Sequence, residues 1–281
     1  MNLESITLLV SIVCLGLSLV FYFWRFVAVR AVKMQTSGGK ELVSTVAPTH
    51  PLPHYLYLAS LVGSLLAITI SLTARAIVTG HGPFSSMYEF AAAFSWGIII
   101  FGLYFWRRYK MPVVSAIAAL IALGLLIFAR SMPSRAAPLV PALQQSLLLT
   151  THVACAVISY GAFTVGFASA ILYLVRGNAG KESQKLDEAS YHSVLIGFPF
   201  MTLVIVLGAL WADIAWGKYW SWDPKETASL VTWLLYAAYL HARVMRGWRG
   251  RRAAILLIIG FAAVLITFFG NYVFQGLHSY Q

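Results

Sequence analysis

Residues 211–226 read WADIAWGKYWSWDPKE, a short polar stretch between two apolar runs at about 193–212 and 225–242. Each run has roughly the 20 residues that an α-helix needs to cross a membrane. Membrane-spanning barrel strands are shorter, with about ten residues of alternating polarity. The stretch therefore predicts two membrane helices joined by a loop at a membrane surface.

Six further apolar runs lie at about 3–30, 55–78, 88–106, 111–129, 147–175 and 253–273. The 281 residues are 60% hydrophobic and only 10% charged, and a soluble domain cannot bury that much apolar surface. We therefore expect an all-α, polytopic membrane bundle of about eight transmembrane helices, forming a single domain over residues 1–281. The first run lacks a basic leader and is too long for a signal peptide, so we expect a retained helix.

The basic residues are segregated between alternate connections. Of the 20 lysines and arginines, fifteen fall near residues 25–40, 107–110, 176–185 and 243–252, and five fall on the opposite side. Because the basic side of a membrane protein faces the cytoplasm, both termini and residues 211–226 are expected outside it. The net charge of +11 then attracts anionic lipid at the cytoplasmic face and requires no nucleic-acid partner.

Four tryptophans, Trp211, Trp216, Trp220 and Trp222, fall within twelve residues of the quoted stretch. Tryptophans also gather at membrane interfaces simply as anchors, which is one interpretation of the cluster. The other interpretation is an aromatic platform for a flat, apolar ligand with charged edges, for which heme is the obvious candidate.

The end of the stretch also has a structural explanation. Asp223 fits a helix N-cap, Pro224 the first helical position, and Glu226 the third residue of a capping box. The exposed N–H groups of such a helix start favour carboxylates, including heme propionates, and Lys218 and Lys225 could assist.

Three histidines are candidate iron ligands. His152 begins one predicted helix and His278 follows another, so both are expected on the side of the tryptophans. Two neutral imidazoles facing each other could ligate heme iron, although ordinary interfacial histidines would have the same spacing. His241 lies fifteen residues after Glu226, about 22 Å along a helix. An ionisable group at that depth is a functional candidate, or else a helix-end cap.

Four segments together resemble a known family. Residues 216–243, WGKYWSWDPKETASLVTWLLYAAYLHAR, resemble the WWD signature of heme-handling proteins in cytochrome c maturation. GHGPFSSMYEF at 80–90, THVACAVISYGAF at 151–163 and GLHSY at 276–280 resemble further segments, in the same order. The chain is thus similar to the CcsA/ResC type of the System II pathway, the multi-span partner of a ResB-like (CcsB-type) protein.

The resemblance implies that heme b is a transported substrate. Heme would be held first by His241 and a histidine of the ResB-like partner, and then outside by His152 and His278 as axial ligands. The other residues expected to contact heme are Trp216, Gly217, Trp220, Trp222 and Asp223. There the Cys-x-x-Cys-His motif of apocytochrome c would form thioether bonds. The chain would be a subunit of a cytochrome c heme lyase that contributes binding and orientation, without a catalytic residue of its own.

The resemblance places the chain in a bacterial inner (cytoplasmic) membrane, with the thylakoid membrane as the alternative. Because the chain has no large periplasmic domain, we do not expect a complete synthase. Two other functions remain open: a heme exporter or chaperone without attachment chemistry, and a non-heme scaffold or quinone-site protein. The roles of His81, Glu89, Arg130 and Arg135 also remain open.

Overall fold

The computed structural model describes residues 3–35, 52–134, 146–177 and 180–273, which form eight α-helices and no strand. The helices are α1 (Leu3–Gln35), α2 (Leu52–Thr79), α3 (Met87–Tyr109), α4 (Pro112–Ser131), α5 (Ser146–Arg176), α6 (Lys181–Trp216), α7 (Pro224–Met245) and α8 (Arg251–Val273). The structure confirms the expected all-α bundle.

Seven of the helices in the described ranges are long and apolar enough to span a membrane. The eighth, α7, is less apolar because polar side chains occupy both its ends, from Lys225 in the first turn to Arg243 in the last. It still lies antiparallel to α8, with the hydroxyls of Thr232 and Thr267 2.9 Å apart. The chain is therefore a multi-pass membrane protein.

The start of α6 differs from the sequence expectation, in which residues 176–192 connect the apolar runs at about 147–175 and 193–212. The helix begins at Lys181 instead. Its first turns are polar enough to resemble a loop, yet Leu186 and Ala189 are buried against the bundle. Asp187 in the same turns accepts a 2.8 Å hydrogen bond from the Arg243 guanidinium of α7. Tertiary contacts therefore stabilise a helix where the local sequence indicated none.

The centre of the bundle is α5, which packs against α3, α4, α6 and α8, whereas α1 packs mainly against α2 at one edge. Gly97 of α3 and Gly161 of α5 bring those two backbones together. A Cβ atom on Gly161 would lie 2.9 Å from the carbonyl carbon and oxygen of Gly97. Small residues permit this close approach between membrane helices, where packing rather than burial from water drives association.

The helices alternate in direction, so one end of the bundle collects the starts of odd-numbered helices and the ends of even-numbered ones. Arg75 near the end of α2 lies beside Glu4 and Glu89, at the starts of α1 and α3. Residues 217–223, between α6 and α7, lie at this same end, which we call the tryptophan end.

Replacing Gly161 by alanine is expected to destabilise the bundle by about 1–3 kcal/mol, because the added methyl group would overpack the contact with Gly97. Thermal unfolding in detergent measures the effect. Gly124→Ala is the matched control, since a Cβ atom there meets nothing within 4 Å. Equal melting temperatures for the two variants would contradict the close contact.

Candidate functional site

A cavity opens at the tryptophan end of the bundle. The empty space within it, together with open solvent at its mouth, amounts to about 1100 Å³. Its walls come from α3, α5, α6, α7 and α8, with Ser85 before α3 and Tyr219 and Trp220 between α6 and α7. Mostly apolar walls with a few polar groups are typical of small-molecule sites.

His152 lies in the second turn of α5 and contributes its half-buried side chain to the cavity wall. The imidazole ring packs against Gly208 of α6, which also lines the cavity. A Cβ atom on Gly208 would lie 3.0 Å from Cε1 of His152 and 3.3 Å from Nδ1. The absence of a side chain at Gly208 therefore provides the space that the imidazole occupies.

The tryptophan stretch is only partly a loop. Helix α6 continues to Trp216 and ends at Gly217, whose left-handed φ of +70° lets its N–H donate to the Asp213 carbonyl at 2.8 Å. Helix α7 begins at Pro224. Of the stretch at 211–226, the non-helical part is therefore residues 217–223.

The structure separates the four tryptophans. Trp220 lines the cavity, and so does Trp211, which the sequence interpretation did not select as a site residue. Trp216 packs edge-on against Trp211, with ring centroids 4.7 Å apart. Trp222 is 70% exposed and packs edge-on against Trp220. Its φ of +60° is rare for a bulky residue. Gly217 ends α6 rather than lining the cavity.

The start of α7 forms the capping box that the sequence predicts. Oδ1 of Asp223 accepts a 2.9 Å hydrogen bond from the backbone N–H of Lys225, and Oε2 of Glu226 accepts one of 3.2 Å from that of Asp223. Asp223 is thus a buried structural cap beside the cavity. Lys225 and Glu226 both line the cavity, and the Lys225 ammonium lies 5.4 Å from the centroid of the Phe90 ring.

A buried ion pair supports another wall of the cavity. Nε of Arg75 donates a 2.7 Å hydrogen bond to Oε1 of Glu89, and both side chains are almost completely buried. Oε2 of Glu89 accepts hydrogen bonds from the backbone N–H of Ser85 at 2.6 Å and from its hydroxyl at 2.8 Å. Since Ser85 lines the cavity, the Arg75–Glu89 pair holds this part of the wall in place through its hydrogen bonds to Ser85.

The remaining candidates lie elsewhere. The side chain of His241 is exposed on α7. It lies one turn before the C-terminal end of that helix, and this end is far from the cavity. Nδ1 of His81 lies 2.8 Å from the Gly82 carbonyl, and His81 is not among the described residues that line the cavity. His278 and Arg135 lie outside the described residues, and Arg130 is exposed at the end of α4.

Two comparisons with known sequences point to one family. Residues 84–278 match the family described as cytochrome C assembly protein. The chain is 38% identical over 258 residues to cytochrome c biogenesis protein CcsA of Guillardia theta, covering 80% of this chain and 85% of that protein. It is 35% identical over 296 residues to CcsA of Gloeobacter violaceus, covering 82% and 87%.

A solved structure has a similar fold. The protein titled "Cytochrome c Heme Lyase CcmF" superposes with a TM-score of 0.64 at 20% identity, covering 94% of this chain and 46% of the other. At that identity, the likeness concerns the fold alone.

The described residues thus define a class: a multi-pass helical membrane protein with a ligand-sized cavity at one end of the bundle. Within it, the chain belongs to the cytochrome c assembly family, as a CcsA-type cytochrome c biogenesis protein. This confirms the resemblance carried by the four sequence segments, and it gives the chain a role in cytochrome c biogenesis.

Replacing Glu89 by alanine is expected to destabilise the protein by about 3–5 kcal/mol, because the change removes the main partner of the buried Arg75. Unfolding in detergent measures the loss. The matched control is Glu182→Ala, which breaks the exposed 2.7 Å pair with Arg176 and should cost about 1 kcal/mol or less. An equal loss of stability in the two variants would contradict the buried role of Glu89.

Proposed function

We propose that the cavity at the tryptophan end holds heme b, as a transported substrate, for thioether attachment to apocytochrome c. The observation that carries the proposal is that His152, a residue type that ligates heme iron, shares one cavity with Trp220. The mostly apolar walls, several of them aromatic, suit a flat apolar ring.

The polar groups of the cavity support binding of a ligand with carboxylates. Lys225 lines the cavity and contributes a positive charge at the start of α7. The positive end of the α7 helix dipole also favours negative charge. We therefore assign Lys225 to the heme propionates, while Asp223 binds the first N–H groups of α7 as its cap.

The proposed second axial ligand is His278. Helix α8 is described up to Val273, and its residues Thr267 and Phe268 line the cavity. His278 follows Val273 by five residues, which can span roughly 17 Å when extended. The chain is therefore long enough for His278 to reach the cavity, in agreement with the ligand role that the family resemblance implies.

A second heme site, at His241, is proposed to precede the cavity on the route of heme. His241 lies on α7 near the opposite end of the bundle, and its exposed side chain is accessible to another membrane protein. We propose that a histidine of a ResB-like partner completes this site. Heme would enter there from the cytoplasmic side and then reach the cavity, where Trp216 and Trp222 support and flank the lining tryptophans.

The assembly proposed is the System II holocytochrome c synthase, with this chain as the heme-delivering subunit. We place it in a bacterial cytoplasmic membrane with residues 217–223 outside, as the charge distribution indicates. The thylakoid membrane is the alternative location, because similar proteins occur in cyanobacteria such as Prochlorococcus marinus.

Replacing His152 by alanine is expected to remove an iron ligand from the cavity. In the chain purified with its ResB-like partner, the heme Soret band should weaken or shift, and maturation of cytochrome c should fall at least tenfold. Thr151→Ala is the matched control, because Thr151 is adjacent on α5 but does not line the cavity. If the heme spectrum and maturation of the His152 variant matched those of the control, the ligand assignment would be wrong.

Replacing Gly208 by alanine tests the geometry of the same ligand without removing it. The added methyl group would press on the His152 ring and shift the imidazole away from its position. We expect a several-fold loss of bound heme, measured from the Soret absorbance per protein. Gly63→Ala is the control, since a Cβ atom there makes an ordinary 3.7 Å contact with Cys14. Full heme occupancy in the Gly208 variant would argue against His152 as a ligand in this position.

A further inference from the structure

The capping box leaves one oxygen of Glu226 unused. Oε2 accepts hydrogen bonds from the backbone N–H groups of Ser221 and Asp223 and from the Ser221 hydroxyl, at 2.8, 3.2 and 3.1 Å. Oε1 is buried and has no hydrogen-bond partner among the described residues. Glu226 is only 8% exposed, and it lines the cavity. Helix capping therefore accounts for Oε2 of this carboxylate but not for Oε1.

A buried acceptor without a partner costs free energy, so a ligand that fills the cavity should supply a donor to Oε1. Heme with ionised propionates is a poor candidate, because its edge offers acceptors and apolar groups but no donor. The Cys-x-x-Cys-His segment of an apocytochrome does have donors, namely two thiols and an imidazole. The unused oxygen thus matches the peptide substrate better than heme.

We propose that Glu226 accepts the proton of the apocytochrome thiol during thioether formation and returns it to the heme vinyl group. This deepens the proposed function and rests on it, since it requires heme and peptide to meet in the cavity. General acid–base help of this kind is worth about 10²–10⁴-fold in rate. It would add a catalytic group where the sequence indicated only binding and orientation.

The reaction balances without a redox partner. The S–H bond breaks as the carboxylate takes the proton, and the sulfur electron pair forms a C–S bond at the vinyl carbon next to the porphyrin ring. The terminal vinyl carbon takes the proton from the Glu226 carboxyl group. The carbon–carbon double bond becomes single, and the carboxylate is regenerated for the second thiol.

Four other titratable groups line the cavity, and each differs from Glu226 in its position or in the role proposed for it. They are His152, Tyr160, Tyr219 and Lys225. His152 is assigned to iron and Lys225 to a propionate, Tyr160 is buried deeper on α5, and Tyr219 is largely exposed. Among the described residues of the cavity, Glu226 is therefore the group best placed to accept a proton from a thiol at the start of α7.

Glu226→Gln is the decisive variant, because the amide oxygen of glutamine can still accept the hydrogen bonds of the capping box. The heme-loaded complex with the ResB-like partner is reduced and incubated with a synthetic Cys-x-x-Cys-His peptide. Bound heme is read from the Soret band, and thioether formation from the pyridine hemochrome spectrum and peptide mass. At pH 7 we expect unchanged heme and at least a tenfold slower thioether formation.

The pH profile separates proton transfer from a structural effect. Free cysteine thiols have a pKa of about 8.5, so raising the pH to 9 ionises most of them without help. The deficit of the glutamine variant relative to the native complex should then shrink to a few-fold. Thr227→Ala is the control, since Thr227 follows Glu226 on α7 but neither lines the cavity nor donates its hydroxyl to Glu226. We expect native rates for it.

Three outcomes overturn the inference. Equal thioether rates in the native and Glu226→Gln complexes at pH 7 show that the carboxylate transfers no proton. A deficit that is the same at pH 7 and pH 9, or one accompanied by loss of heme, assigns Glu226 to structure or heme binding. A native complex that binds no heme, or binds heme and forms no thioether, overturns the proposed function itself and is recognised before any variant is compared.

Discussion

In the hydrocarbon core of a membrane, a backbone N–H or C=O group without a hydrogen bond costs several kcal/mol, and the α-helix satisfies all of them internally. Irregular backbone is therefore confined to the helix ends, where polar side chains can satisfy it. At the start of α7, Asp223 and Glu226 do this for the connection from α6. The site depends on this constraint, because polar, non-helical backbone is placed where helices end. In the described part of the chain, the cavity lies at such an end, where Ser85, Tyr219 and Trp220 line it from outside the helices.

Long-range contacts then turn that end of the bundle into a cavity. The Arg75–Glu89 pair holds Ser85 in one wall, although α2 has no residue in the lining. Gly208 of α6 makes room for His152 of α5. The walls thus come from helices that are distant in sequence. Two of these helices, α3 and α5, are held in contact by the close packing of Gly97 against Gly161.

The features that depend on local sequence were predictable: the apolar runs, the helix directions and the capping box at Asp223. The features that depend on tertiary contacts were not. The first turns of α6 have a polar composition, and only their burial makes them helical. Trp211 and Trp216 look equivalent in the sequence, yet only Trp211 lines the cavity. Glu226 has a sufficient local role as a cap, so nothing in the sequence indicated that it would also line a cavity and keep one buried oxygen without a partner among the described residues.

The central claim is that heme binds between His152 and the tryptophan segment of this cavity. An experimental structure of the chain purified with its ResB-like partner and heme tests it most directly. We predict a porphyrin ring in contact with Trp220, an iron atom bonded to His152, and propionates directed toward Lys225. Heme bound to the complex elsewhere, with the cavity closed by side chains or filled by lipid, would contradict the claim.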